Sequence, residues 1–308
     1  MEHYNYDVVI VGSGIAGAIT AHLLTNAGKK VLMLEAGLTA GMAMDQENAY
    51  KNYQDYLETF YTASAKVPNS PYPSLKNAPS VNVLDIEIVT KNAPSDKGYL
   101  VQMGPVPFAS DCTRAPGGTT LHWLGTTLRM LPNDFKMKST YGVGVDWPIA
   151  YGDMARYYEM AENEIGVSGD VAEQKYPVEN GSVFPEDYVF PMKEIPVSYM
   201  DTVMKGKIQD KKINLNGETH TLTCISTPQG RNSIPNPDYK TLGTIWDRKS
   251  KKLRIVRDDE TNDYEPVGAT WDKYTGQRCE GNASCVPICP VQAKYNAIKT
   301  LRKCDMEN

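Results

Sequence analysis

The spacing of hydrophobic positions changes along the chain, and each change predicts an element. Asp7-Val8-Val9-Ile10-Val11 is a short β-branched run that reads as a buried parallel strand. Gly12-Ser13-Gly14-Ile15-Ala16-Gly17 follows directly, and a helical stretch then runs to about Ala27, closed by Gly28. Val31-Leu32-Met33-Leu34 reads as a second strand and ends in Glu35. From Met42 to about Tyr61 the chain is polar and Tyr-rich with helical character. Pro68, Pro71, Pro73 and Pro79 then mark a long surface loop over 67–80, a lid or a docking segment. Met154, Tyr158, Ala161 and Ile165 recur at helical spacing and predict an amphipathic helix over 150–166. Residues 186–275 read as short strands and loops, and Tyr295 to Lys303 as a last helix. The basic stretch Arg248 to Arg257 meets Asp258-Asp259-Glu260 at once and reads as a solvated face.

Composition narrows the function classes. The 308 residues suffice for one large domain or two ordinary ones, and 41% apolar with 22% charged residues is a globular balance. A net charge of −5 argues against a nucleic-acid partner. Val8 to Leu24 lacks the basic leader of an export signal and is broken by Gly12, Gly14, Gly17 and His22. No other run approaches the length of a membrane span. Six cysteines are too few for a disulfide scaffold, yet Cys279, Cys285 and Cys289 fall within eleven residues.

The first glycine cluster has the context that a dinucleotide site requires: a strand before it, a helix after it, and an acid at the end of the next strand. Gly12 makes the tight turn, Gly14 lets backbone approach a pyrophosphate, and Gly17 lets the helix pack on the strand. The N–H groups from Ser13 through Ile15 and Ala16 face the anion at the helix N-terminus, and Glu35 is placed to accept ribose hydroxyls, with Ala36 beside it. FAD and NAD both remain open on this motif alone. A second cluster, Gly117-Gly118-Thr119-Thr120-Leu121-His122-Trp123, can bring backbone against a flat ligand and its phosphates. Arg114 pairs either with a phosphate or with an acid of the fold.

Cys279-x5-Cys285-x3-Cys289-Pro290 presents three thiols on one short loop and ends like the C-x3-C-P run of bacterial ferredoxins. Gly281 and Asn282 suit tight curvature. A structural zinc site is the rival reading, but it wants four ligands and no CxxC pair is present. Cys304 is a candidate fourth thiol, read rather as a plain buried one; Cys112 and Cys224 are isolated and read as structural.

The second glycine cluster and Asp146-Trp147-Pro148-Ile149-Ala150-Tyr151 resemble signatures of the glucose-methanol-choline (GMC) family of flavin oxidoreductases. The nearest branch is that of bacterial FAD-dependent sugar and polyol dehydrogenase large subunits. The resemblance implies an α/β fold: an FAD-binding Rossmann-like parallel sheet with a second, mixed α+β substrate domain, incomplete in this chain. On that reading 1–145 is the N-terminal part of the FAD domain, 146–270 the first part of the substrate domain, and 271–308 the iron–sulfur loop with a helix returning to the FAD domain. It implies FAD on Gly12, Ser13, Gly14, Ile15, Ala16, Gly17, Glu35, Ala36, Arg114, Gly117, Gly118, Thr119 and His122. In the similar pyranose oxidases the matching histidine is tethered to the flavin, so His122 is expected beside the ring, tethered or packed on it. The branch also carries a 3Fe–4S cluster on cysteines matching Cys279, Cys285 and Cys289. Its usual second cysteine after the first is Glu280 here.

The implied activity is oxidation of an alcohol group of a sugar or polyol, with electrons passed to a cytochrome c. The family's catalytic histidine is expected outside this chain, in a C-terminal half or second polypeptide. A small export-associated subunit is the expected partner and gives a periplasmic location; without it the chain is cytoplasmic. An oxygen-using oxidase of the pyranose type, or a non-catalytic FAD-binding subunit, are the other readings.

Overall fold

The structure is a computed structural model and describes residues 5–35, 116–121, 123–174, 183–240, 242–247, 252–257, 276–281, 289, 291 and 293–304. The chain forms two compact units. The first comprises residues 1–124, 272–275 and 284–308; the second comprises 125–271 and 276–283.

In the first unit β1 (Val8–Val11) and β2 (Val31–Leu34) pair in parallel, Val8 opposite Val31 and Val11 opposite Leu34. Parallel neighbours need a crossover, and α1 (Ile15–Asn26) supplies it. α1 packs on the sheet through Met33 and against α5 (Ala297–Leu301) through Ala18, Ala297 and Leu301. Alanines that are fully buried at this seam let the two helices approach closely. β1 corrects one expectation. Only alternate residues turn inward, while Val9 and Val11 are 54% and 82% exposed, because α1 covers a single face of the strand pair. α5 is also shorter than the expected Tyr295–Lys303: Asn296 caps it by accepting the Ile298 N–H, and a turn carries the chain on to Cys304.

The second unit contains two short 3₁₀ turns (Pro132–Lys136 and Val171–Glu173) and α2 (Met137–Tyr141), α3 (Tyr151–Ile165) and α4 (Tyr199–Ile208). It also holds the hairpins β3 (Lys212–Leu215) with β4 (Glu218–Thr221) and β5 (Leu242–Asp247) with β6 (Lys252–Arg257). The amphipathic pattern over 150–166 forms α3. Asp153 accepts the Ala150 N–H at its start, and Gly166 ends it at φ +72°. The core is aromatic: Val167, Val183, Phe184, Tyr188 and Phe190 are buried together, with Leu131, Tyr151, Ile165 and Val171 packed on them. Ladder bonds between Ser168 and Gln229 and from the Met192 N–H to the Val167 carbonyl knit the loops around this core.

α4 was not expected within a stretch read as strands and loops. Its local signal is a capping box: Ser198 Oγ accepts the Asp201 N–H at 3.1 Å while Asp201 accepts the Ser198 N–H at 3.1 Å. The β3–β4 turn is Asn216-Gly217, both at positive φ, the geometry a two-residue hairpin favours. The expected helix over 42–61, the loop over 67–80 and the side chains of 248–257 lie outside the described residues. No helix among the described residues is long and apolar enough to cross a membrane.

Candidate dinucleotide site and cysteine segment

The first unit brings both glycine clusters to one place. Gly12 turns the chain at φ +93°, and its N–H is held by the Leu34 carbonyl at 2.7 Å, so the turn is pinned to the end of β2. Gly14 is the N-cap of α1, its carbonyl accepting the Ala18 N–H at 2.9 Å, and no side chain caps the N-terminus. The N–H groups of the first turn therefore have no intrahelical acceptor, and the helix dipole adds positive potential there. A β-carbon on Gly12 or Gly14 would meet nothing within 4 Å, so open space lies beside the backbone at both glycines. At Gly17 the reverse holds. A β-carbon there would sit 2.1 Å from the Gly12 carbonyl oxygen, so only glycine lets α1 pack on the turn.

Glu35 stands where the strand end predicts, and its carboxylate closes back on the turn. Glu35 Oε2 accepts the Ser13 N–H at 2.8 Å and the Ser13 hydroxyl at 2.5 Å. The Ser13 hydroxyl in turn accepts the Gly117 N–H at 3.2 Å. Gly118 approaches Gly14 so closely that its β-carbon would lie 3.7 Å from the Gly14 Cα. Thr119 sits in the following 3₁₀ turn (Gly118–Leu121), and its carbonyl accepts the Trp123 N–H at 3.0 Å.

Thr120, not among the expected ligands, is a second tie. Its hydroxyl donates to the Gly117 carbonyl at 2.5 Å and accepts the Ala297 N–H at 3.0 Å, at the first residue of α5. Trp123 and Lys294 close the same junction, the indole donating to the Tyr295 carbonyl at 2.8 Å and the ammonium to the Trp123 carbonyl at 2.5 Å. Ala36, Arg114 and His122 lie outside the described residues.

Of the three clustered cysteines, Cys279 and Cys289 are buried, and Cys285 lies outside the described residues. Cys279 belongs to the second unit and Cys289 to the first. The Cys279 N–H is fixed by the Asn232 carbonyl at 2.9 Å, and Gly281, at φ +73°, presses against the Pro196 carbonyl. Cys304 is buried and Cys224 half-buried. No group of three His, Cys, Asp or Glu side chains among the described residues is placed to hold a metal ion.

The second unit contains a buried ion pair that was not expected from the sequence. Arg129 meets Glu162 of α3 in a two-pronged pair, Nε to Oε1 at 2.7 Å and Nη2 to Oε2 at 2.6 Å. Its Nη1 donates to the Tyr151 hydroxyl at 3.0 Å, and Tyr188 donates its hydroxyl to Glu162. The guanidinium carbon lies 4.5 Å from the Phe184 ring centre and 4.8 Å from that of Tyr188. Burial alone would lower the guanidinium's pKa, but the bonds and charge of Glu162 outweigh it and raise it further, while burial and Glu162 push the Tyr188 phenol well up. Every charge is matched, so the box holds the core together and offers no reactive group.

A cleft of about 600 Å³ beside α4 has Glu173, Lys205, Gln209, Thr221, Cys224 and Ile225 in its lining. Glu173 anchors it. Its carboxylate accepts the Ser226 hydroxyl and N–H, each at 2.6 Å, and pairs with Lys205 at 3.2 Å, which holds its pKa below the usual range.

Similarity to known proteins agrees with the geometry of the first unit. Residues 10–76 match the NAD(P)-binding Rossmann-like domain family. Over 299 residues the chain is 30% identical to the fructose dehydrogenase large subunit of Gluconobacter japonicus, a match covering 96% of this chain and 43% of that protein. The chain is homologous to sugar and polyol oxidoreductases. It is also 25% identical over 181 residues to the gluconate 2-dehydrogenase flavoprotein of Pantoea cypripedii, covering 53% of this chain and 25% of that protein. To the 6'''-hydroxyparomomycin C oxidase of Streptomyces lividus it is 27% identical over 167 residues, 53% of this chain and 23% of that one. The chain thus spans less than half the length of each of these relatives.

Proposed function

We propose that this chain carries the flavin and iron–sulfur sites of a GMC-type dehydrogenase that oxidises an alcohol group of a sugar or polyol. The observation that carries the reading is the open cradle ahead of α1, with Gly12 and Gly14 facing space and Glu35 tied at its rim. A pyrophosphate suits that cradle because the first-turn N–H groups of α1, which lack an intrahelical acceptor, border it. Ser13, Ile15, Ala16 and Gly17 would build its wall, Glu35 would take the ribose, with Ala36 assigned to the same set from its place in the sequence, and Gly117, Gly118 and Thr119 would bring the second turn against the ligand. Arg114 and His122 complete the set as phosphate partner and ring neighbour.

When bound, FAD supplies the hydride acceptor for the alcohol carbon. Cys279, Cys285 and Cys289 are the residues that would hold a 3Fe–4S cluster, which would supply single-electron transfer to a cytochrome c or other acceptor. A small export-associated partner subunit would place the protein in the periplasm. An oxygen-using oxidase is the second reading, favoured by the similarity to the 6'''-hydroxyparomomycin C oxidase.

Absorption and electron-paramagnetic-resonance spectra, with flavin and iron quantified on the purified protein, test this. Flavin and iron together, with slow reoxidation by oxygen, are expected. Flavin without iron and rapid reoxidation would favour the oxidase, and absence of flavin would overturn both. Acid precipitation reports whether flavin stays attached through His122.

A further inference from the structure

We propose that Ser13 is a positioning residue of the dinucleotide site, fixing Glu35 for ribose recognition, with Thr120 extending the same tie to the second glycine turn and α5. The proposal rests on the flavin reading above. The residue between two phosphate-facing glycines has no need of a hydroxyl for the turn itself, yet the Ser13 side chain is buried and makes bonds in both directions. Its one proton goes to Glu35 Oε2 at 2.5 Å, and its lone pair takes the Gly117 N–H at 3.2 Å. The Ser13 N–H reaches the same carboxylate oxygen at 2.8 Å, so two donors from one residue hold Oε2. A glutamate at a strand end otherwise samples several rotamers, each carrying the charge to a different place. Held by Ser13, it presents one orientation to the rim of the cradle.

Thr120 repeats the device one step further. Its hydroxyl joins the Gly117 carbonyl to the Ala297 N–H, so a hydrogen-bonded chain runs Glu35, Ser13, Gly117, Thr120, Ala297. Four segments distant in sequence are thereby set relative to one another by two hydroxyl groups. Binding in a pre-set site avoids the ordering cost that a loose one would meet.

The test is equilibrium binding to the full chain, followed by flavin fluorescence, with two probes: FAD, and FAD lacking the 2'-hydroxyl on its adenosine ribose. The wild-type chain is expected to prefer FAD. Ser13→Ala should weaken FAD by about tenfold, the cost of one bond to a charged group, while weakening the deoxy probe much less. Thr120→Val should weaken both probes alike, and Thr120→Ser should restore them. Unchanged FAD affinity in Ser13→Ala overturns the proposal, as does an equal loss for both probes in that variant, which a merely structural role would give. Should Ser13→Ala fail to fold, Thr120→Val binding FAD like the wild type overturns it through the second tie. A wild-type chain that binds neither probe overturns the flavin reading itself, a result distinct from any of these.

Discussion

Two sets of polar groups in this chain are built on opposite principles. Around Gly12 and Gly14 the glycine backbone and the start of α1 border open space, and the Ser13 and Thr120 hydroxyls hold the frame behind them. Around Arg129 the charges are sealed among Phe184, Tyr188 and Tyr158, and each meets its opposite. Polar groups left facing a cavity invite an anion. Polar groups matched in a dry core hold the fold together, and removal of one member leaves another exposed to a medium that cannot solvate it. Counting charges or motifs does not separate these cases; what fills the space in front of each group does.

Breaking the sealed box gives the largest expected effect. Arg129→Ala strands Glu162 and should lower the unfolding free energy by about 3–5 kcal/mol, read as an earlier denaturation midpoint. Arg129→Met combined with Glu162→Leu should cost far less than the two single changes summed, since no charge is left alone. A sum equal to the singles would show that the pair is not the unit.

Gly17→Ala tests the open site from the packing side. With the Gly12 carbonyl 2.1 Å from the new methyl, α1 must shift, and about 1–3 kcal/mol of stability should go together with flavin affinity. Loss of stability with flavin binding intact would separate the turn from the site.

Tyr188→Phe is a finer probe of the box. It removes one bond to a charged carboxylate and should cost about 1.5–3 kcal/mol by chemical denaturation without altering flavin affinity.

The smallest effect belongs to Glu173. Its bonds to Ser226 and Lys205 lower its pKa in the folded state, so its contribution to stability is present above the unfolded carboxylate's pKa and lost as pH falls through the folded value. Glu173→Gln should therefore flatten the acid limb of a stability–pH curve below about pH 4 and change little at neutral pH. Lys205, an exposed partner, should contribute no more than about 1 kcal/mol.

The parts readable along the chain are those written in neighbouring residues. A β-branched run, a glycine turn, a twelve-residue helix, a second strand and a terminal acid are all set by spacing within 35 residues, and the parallel pair follows from the crossover helix. α3 is readable for the same reason. α4 went unread although Ser198 and Asp201 carried its start, because a helix of mixed polarity has no strong periodicity to set against surrounding loops. Asn216-Gly217 likewise marked a hairpin that the broader reading of short strands did not locate.

Ser13 was placed at the site for its backbone, and only folding reveals what its hydroxyl holds. Gly117 comes to it from 104 residues away, and Ala297 comes to Thr120 from 177. Arg129 and Glu162 are 33 residues apart, and nothing in the residues around either one signals their pairing. Local dihedral preference and hydrophobic period are properties of a few adjacent residues, so the glycine turn, its helix and the acid beyond it could be derived from their order. A hydrogen bond or ion pair between distant segments depends on where close packing brings them, and hydroxyl and charged side chains serve equally well exposed or buried. That is why the dinucleotide motif was legible in the chain, while the hydroxyl ties that set its geometry and the sealed ion pair emerged only with the fold.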